Sequence, residues 1–221
     1  MRIRKAFGIV TLLATCAAAA PAAASAQPGI TAAVWTVHGN TARASAALNV
    51  LTLNDQRGID NRISAFMASN GRLVLTAPEA LGDPDGSGVN CGLDNAKSGE
   101  TSATEVSCAP GYIGAIVGDL AGGSDTFDAD PGLTVMVGAL IDGQRRPLAG
   151  GPGRDRLVGG ALADLLAGGG GADSIVGGGG NDLLLGGSGS DRLIAGGGRD
   201  VCRGGGGTDT AKSCELVRSI P

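Results

Sequence analysis

The sequence predicts an all-β chain wound as a solenoid, and three observations carry that prediction. From Gly150 onward an acid and an apolar residue recur in a nine-residue register through seven consecutive units. Glycine accounts for 41 of the 221 residues, whereas aromatic residues make up 2%. Ahead of the repeats, short apolar runs alternate with turn clusters.

Composition narrows the class. Scarce aromatics argue against a large globular core, since Phe, Tyr and Trp supply much of the area such cores bury. Glycine does not recur at every third position, which excludes a collagen helix. Leu, Ile and Val recur in step with the glycines, which argues against simple disorder.

Residues 1–26 read as a secretory signal peptide. "MRIRK" is a basic start, "AFGIVTLLATCAAAA" an apolar stretch, and Ala24-Ser25-Ala26 a small-residue cleavage signal before Gln27. The stretch is short and alanine-rich for a membrane span, and no second apolar run long enough to cross a bilayer follows. The competing reading makes Cys16 a lipid-anchored cysteine, against which Thr15 stands where a small residue is usual. Of the 17 basic residues, Arg2, Arg4 and Lys5 leave with this segment, and none of the 21 acidic ones does, so the mature charge is −7. Such a chain repels nucleic acid and anionic membrane and attracts cations.

Residues 27–149 form an irregular, β-rich leading segment. "AAVWTVHG", "RISAFMA", "RLVLTA", "TEVSCA", "YIGAIVGDL" and "LTVMVGAL" read as short strands. Asn70-Gly71 marks a hairpin or a coil corner. "LAGGSDTFDAD" echoes the later repeat, with Gly123, Asp125 and Phe127 in register. "DPDGSGVNCGLD" sets Asp83, Asp85, Ser87, Gly88 and Asp94 at the spacing of an EF-hand loop. Pro84 and strand-like flanks favour an ordinary turn there, because an EF-hand needs flanking helices.

The repeat itself occupies residues 150–212, followed by a terminal cap over 213–221. Its units read GGPGRDRLV, GGALADLLA, GGGGADSIV, GGGGNDLLL, GGSGSDRLI, AGGGRDVCR and GGGGTDTAK. The sixth place is always Asp: Asp155, Asp164, Asp173, Asp182, Asp191, Asp200 and Asp209. The eighth is Leu157, Leu166, Ile175, Leu184, Leu193, Cys202 and Ala211. Places seven to nine suit a short strand with its middle side chain pointing inward. Places one to six suit a tight turn in which glycine accepts positive φ. One unit cannot bury its apolar residue alone, but stacked pairs, each making one turn of a flattened coil, can.

This register resembles the repeats-in-toxin, or hemolysin-type calcium-binding, nonapeptide GGxGxDxUx. The resemblance covers residues 150–212 and implies a right-handed parallel β-roll with calcium between the turns of neighbouring coils. Ligands implied by it are the seven sixth-place aspartates and carbonyls of the glycine loops, among them Gly150, Gly168, Gly170, Gly177, Gly179, Gly186 and Gly204. Two nonapeptides per coil put Asp155, Asp173, Asp191 and Asp209 on one edge and Asp164, Asp182 and Asp200 on the other. Three gaps and two gaps follow, five sites at most. Carboxylates stacked about 4.8 Å apart repel by roughly 3.5 kcal/mol at an effective dielectric of 20, so a hard cation is expected between them. Leu162 in a fourth place and Ala195 in a first place depart from the pattern. The sites that use Gly159–Asp164 are the least regular.

Once residues 1–26 are removed, Cys91, Cys108, Cys202 and Cys214 remain, an even count that suggests two disulfides. Sequence allows three pairings; nearest neighbours, Cys91–Cys108 and Cys202–Cys214, close short loops worth roughly 3 kcal/mol each. Zinc is disfavoured because no C-x-x-C occurs.

No catalytic constellation is legible. His38 is the single histidine, and neither H-E-x-x-H nor G-x-S-x-G occurs. The expected function is that of a secreted, extracellular calcium-binding protein, not an enzyme, with Ca2+ as its ligand and no nucleic-acid partner. The alternative is a cell-surface structural or adhesive module that uses the roll as a rigid spacer. A pore-forming toxin is disfavoured, because no long apolar or amphipathic helical segment is present.

Overall fold

The computed structural model describes residues 30–37, 48–55, 58–82, 91–93, 102–141 and 144–218. The signal segment, His38 and, of the EF-hand-like stretch, Asp83, Asp85, Ser87, Gly88 and Asp94 lie outside them. The described residues contain strands and no helix. The leading part holds β1 (Ile30–Val37), β2 (Leu48–Asp55), β3 (Arg62–Met67), β4 (Leu73–Gly82), β5 (Cys91–Leu93) and β6 (Ser102–Cys108). It continues with β7 (Ile113–Asp119), β8 (Thr126–Ala129), β9 (Met136–Val137), β10 (Ala139–Ile141) and β11 (Gln144–Arg146). The repeats form β12 (Leu148–Pro152), β13 (Arg156–Val158), β14 (Leu165–Gly170), β15 (Ser174–Gly179), β16 (Leu183–Ser188), β17 (Arg192–Gly197), β18 (Val201–Gly206) and β19 (Thr210–Lys212). The last strand is β20 (Leu216–Arg218).

Pairing in the repeats is parallel and skips one strand each time. β12, β14, β16, β18 and β20 stack on one face, and β13, β15, β17 and β19 on the other. The register is eighteen residues from β12 to β19, as in Leu166↔Leu184↔Cys202 and Leu157↔Ile175↔Leu193, and fifteen at the last pair, Val201↔Leu216. This is the β-roll that two nonapeptides per coil dictate.

The same stacking runs on below residue 150. Leu157 lies over Phe127 and Phe127 over Ile63, so β3 and β8 extend one face. On the other, β12 pairs with β7 and β7 with β2. The echo seen at Gly123, Asp125 and Phe127 is thus a true coil, with Gly123 bridged to Gly153. Antiparallel strands cover the far end: β1 on β2, β4 on β3, and β6 between β4 and β5. The β3–β4 hairpin turns at Asn70-Gly71, where Gly71 takes φ +79°.

The interior is an aliphatic ladder. Leu148, Leu157, Leu166, Ile175, Leu184, Leu193 and Cys202 are fully buried, continuous with Phe127, Ile63, Leu51 and Ile116. Each such side chain contributes about 1.5–3 kcal/mol by leaving water. Ala211 is half-buried at the tapering end, where Cys202–Cys214 ties β18 to the turn before β20. The other disulfide, Cys91–Cys108, joins residues directly opposite in β5 and β6.

Glycine sets how closely the turns stack. Gly187 and Gly189 take φ +117° and +124°, and a Cβ on either would collide with the carbonyl oxygens of Gly169 and Gly171 one coil below. A side chain there would push the coils apart.

Candidate metal centre

Each sixth-place aspartate follows the tight glycine turn that precedes its strand, and the turn aims its side chain inward. All seven are buried, between 1% and 5% exposed. On one edge the backbone N–H of Asp125 donates to Asp155 Oδ1, that of Asp155 to Asp173, that of Asp173 to Asp191 and that of Asp191 to Asp209, at 2.8–2.9 Å. On the other, Val137 donates to Asp164, Asp164 to Asp182 and Asp182 to Asp200, at 2.7–2.8 Å. Asp200 N–H donates to Glu215 Oε2, which ends that edge. The two expected edges are present, each rung bonded to the next.

One oxygen of each carboxylate is therefore spent on the neighbouring coil. The other, Oδ2, is buried with no donor at Asp155, Asp173, Asp182, Asp191, Asp200 and Asp209. A buried polar oxygen without a partner loses its hydration uncompensated. Its location is specific. At Gly168, Gly177 and Gly186, all in first places, an added Cβ would fall within 3.0 Å of two oxygens at once. One is Oδ2 of the loop's own aspartate (Asp173, Asp182, Asp191); the other is the first-place carbonyl of the next coil (Gly186, Ala195, Gly204). At Gly150 the same point meets the Asp155 carboxylate. That point belongs to the glycine's own hydrogen, so the two acceptor oxygens lie side by side against the glycine backbone, and an oxygen pair of this kind suits a hard cation bound beside it. Among the described residues no three His, Cys, Asp or Glu side chains converge on a metal position, so backbone carbonyls must supply much of any shell.

The remaining candidates sit in the third place. Gly170 O accepts the N–H of Gly153, and Gly179 N–H donates to Gly160 O, so both knit adjacent turns. Gly159, a first-place glycine outside the expected ligand set, forms a cradle with Asp164 Oδ2 and Gly177 O.

Burial adds to the expected repulsion between rungs. Burial, ahead of repulsion between rungs, is the main force that raises these carboxyls: Asp173 and Asp182 to about 6, Asp164 to about 7, with Asp155 and Asp191 also raised. The neighbouring carboxylate adds a smaller push, as Asp155 and Asp191 do on Asp173. The reason is orientation: the side chains point into the coil, where desolvation outweighs a Coulomb term partly offset by the N–H donated to each Oδ1.

The two departures have structural consequences. Loop 159–164 carries Leu162 in fourth place and lacks the positive-φ pair that every other repeat loop has at places two and four. In this altered turn Gly160 N–H donates to Asp164 Oδ2 at 2.7 Å, so that carboxylate already has donors on both oxygens. Ala195, fully buried, puts a methyl group in the first place of the loop leading to Asp200. Leu120 does the same ahead of Asp125, whose Oδ2 is also buried and unpartnered.

Sequence reading missed Glu215 and Asn61. Asn61 N–H donates to Asp125 Oδ1, one coil below. No motif marks either residue. Asp125 was legible from its nonapeptide-like neighbours.

The family model of the RTX calcium-binding nonapeptide repeat matches residues 149–184 and 176–211. No curated protein and no solved structure matches the chain. Repeats of this family bind Ca2+, in keeping with the oxygen-only cradles, and no helix among the described residues is long and apolar enough to cross a membrane. Residues 149–211 are an array of RTX calcium-binding nonapeptide repeats folded as a β-roll.

Proposed function

We propose that this is a secreted calcium-binding protein whose roll completes its fold when Ca2+ enters the first-place cradles. The observation that carries the reading is the pair of oxygens converging beside each of Gly168, Gly177 and Gly186, one of them a buried carboxylate oxygen with no donor. Bound Ca2+ supplies the positive charge those oxygens lack. Asp155, Asp164, Asp173, Asp182, Asp191, Asp200 and Asp209 are the proposed carboxylate ligands, with carbonyls of Gly150, Gly168, Gly170, Gly177, Gly179, Gly186 and Gly204 completing the shells. Five gaps between stacked loops give at most five ions. Metal affinity then becomes folding free energy, because the cradle exists only when the coils are stacked. Each filled gap orders the loop used by the next, so binding is cooperative.

Export is supported by the signal-like pattern of residues 1–26 and by two disulfides. Binding, not catalysis, is the proposed role, and the family match to a calcium-binding repeat supports it. The test is a calcium titration of the mature chain followed by far-ultraviolet circular dichroism. A cooperative gain in β signal is expected, with a midpoint on the order of 10⁻⁴ to 10⁻³ M. A spectrum that millimolar calcium leaves unchanged would defeat the reading.

A further inference from the structure

We propose that the side-chain amide of Asn61 stands in for a cation at the base of the aspartate ladder. The two coils ahead of the repeats then fold without calcium and set the register for the coils that need it. The inference rests on the reading of the first-place cradle as the calcium position.

The ladder places Asn61. Arg62 and Ile63 pair with Thr126 and Phe127, so Asn61 is the rung below Asp125. Its backbone N–H donates to Asp125 Oδ1 at 2.8 Å, the bond each ladder aspartate makes with the next. Asn61 therefore fills the sixth place of its coil. In the repeats, a sixth-place Oδ2 lies beside the first-place carbonyl of the next coil, and neither has a hydrogen to offer. Leu120 is the first place of the next coil here. Asn61 Nδ2 donates to Leu120 O at 3.2 Å, and also to Asp55 Oδ2 at 3.2 Å and Asp125 Oδ1 at 3.0 Å.

Two carboxylates and a carbonyl thus converge on one NH2 group, whereas in the repeats a carboxylate Oδ2 and a first-place carbonyl lie side by side with no side-chain donor on the Oδ2. Burial makes the donor necessary: Asn61 and Leu120 are 0% exposed and Asp125 1%, so water does not replace it. Exchanging the amide oxygen and nitrogen would set three acceptors against an oxygen, which fixes the assignment. Neighbouring loops are closed in the same way. Asp55 Oδ2 also accepts Ile59 N–H, Asp60 Oδ1 accepts Ser124 N–H, and Asp119 Oδ1 accepts Ala121 N–H. At the base a side-chain N–H group reaches the first-place carbonyl and both carboxylates, leaving Asp125 Oδ2 and Asn61 Oδ1 buried without a partner, whereas no side-chain donor reaches Oδ2 of Asp155, Asp173, Asp182, Asp191, Asp200 or Asp209. The base is also coupled to the repeats, because Asp125 N–H goes on to Asp155 Oδ1 in the first repeat. Register passes from Asn61 through Asp125 into the metal-dependent array.

Peptide-resolved hydrogen exchange of the full mature chain, with disulfides intact, tests this in chelator and in millimolar calcium. In the wild type, amides of β2, β3, β7 and β8 should stay protected in chelator. Asn61→Asp, which replaces the donor with an acceptor, should lose protection in chelator by roughly tenfold or more, the scale of a buried donor removed. Calcium should restore it, since the site becomes oxygen-only. Asn61→Ala should lose protection in both conditions. Wild-type β2, β3, β7 and β8 unprotected in chelator, or Asn61→Asp as protected there as the wild type, would overturn the proposal. So would Asn61→Asp that calcium leaves unprotected. Residues 150–212 report separately, in the same experiment, on the calcium reading.

Discussion

The backbone N–H of Asp155 donates to Oδ1 of Asp173, eighteen residues later, at 2.8 Å. That bond makes Asp173 a link between coils, while its second oxygen forms half of the cradle at Gly168. A substitution at one rung therefore acts on both sides of it.

Asp191→Ala should lower the number of bound calcium ions by two, because Asp191 borders the gaps to Asp173 and to Asp209. It also leaves the Asp173 N–H without its acceptor, at a cost of about 1–3 kcal/mol. Asp209→Ala, at the last rung, should remove one ion. Isothermal titration calorimetry checks the two stoichiometries, and equal losses would contradict the gap-sharing arrangement.

Gly177→Ala should eliminate one cradle, since its methyl would press on Asp182 Oδ2 and Ala195 O. Overpacking of this kind costs about 1–3 kcal/mol. Gly197→Ala is the control, because a Cβ there meets nothing within 4 Å and the backbone φ is not in the left-handed region. Thermal melts in saturating calcium should show Gly177→Ala well below the wild type and Gly197→Ala close to it.

Acidity should act in opposite directions on the metal-free and calcium-bound roll. Folding raises Asp173 and Asp182 from 3.8 to about 6 and Asp164 to about 7, mainly by burial. A carboxyl raised on folding holds its proton more tightly in the fold, so its contribution is present below the unfolded value and lost as pH climbs through the folded one. The metal-free roll should accordingly be more stable near pH 5 than near pH 8. Calcium must displace those protons, so its affinity should rise over the same interval. The far-ultraviolet β signal of the mature chain in chelator at the two pH values decides the first point; a stronger signal at pH 8 would refute it.

Removing the Cys202–Cys214 bridge by paired Ser substitution should loosen the carboxy-terminal coil by roughly 3 kcal/mol, from the short loop it closes. Hydrogen exchange should increase in β18–β20 and leave β2–β8 unchanged.

Much of the repeat half was legible because its period is constant. The positions of Asp155 to Asp209, their division between two edges, and the inward Leu and Ile ladder all follow from nine residues per unit and two units per coil. Both disulfides followed from proximity along the chain. The leading half kept the stacking but not the period: Asp125 lies thirty residues before Asp155, and Asn61 sixty-four before Asp125. β2 was missed for that reason, since Leu48–Asp55 acquires its meaning only by pairing with β7. Asn61 left no trace in sequence, because an asparagine that replaces a cation looks like any loop asparagine. Repulsion between stacked carboxylates could be read from the period, but their burial, which adds the larger push, could not.

Parallel pairing at an offset of eighteen also fixes how this molecule can lengthen or shorten. Deleting or duplicating a stretch such as residues 177–194 would remove or add one complete turn and return every later strand to its own face. A nine-residue change would preserve the local motif yet send β20 and the Cys202–Cys214 tether to the opposite side. Variation by whole turns is the cheap route for such a chain, and the Asp125–Asp155 spacing, twelve residues longer than eighteen, includes the β10–β11 hairpin, a separate two-stranded sheet beside the coil.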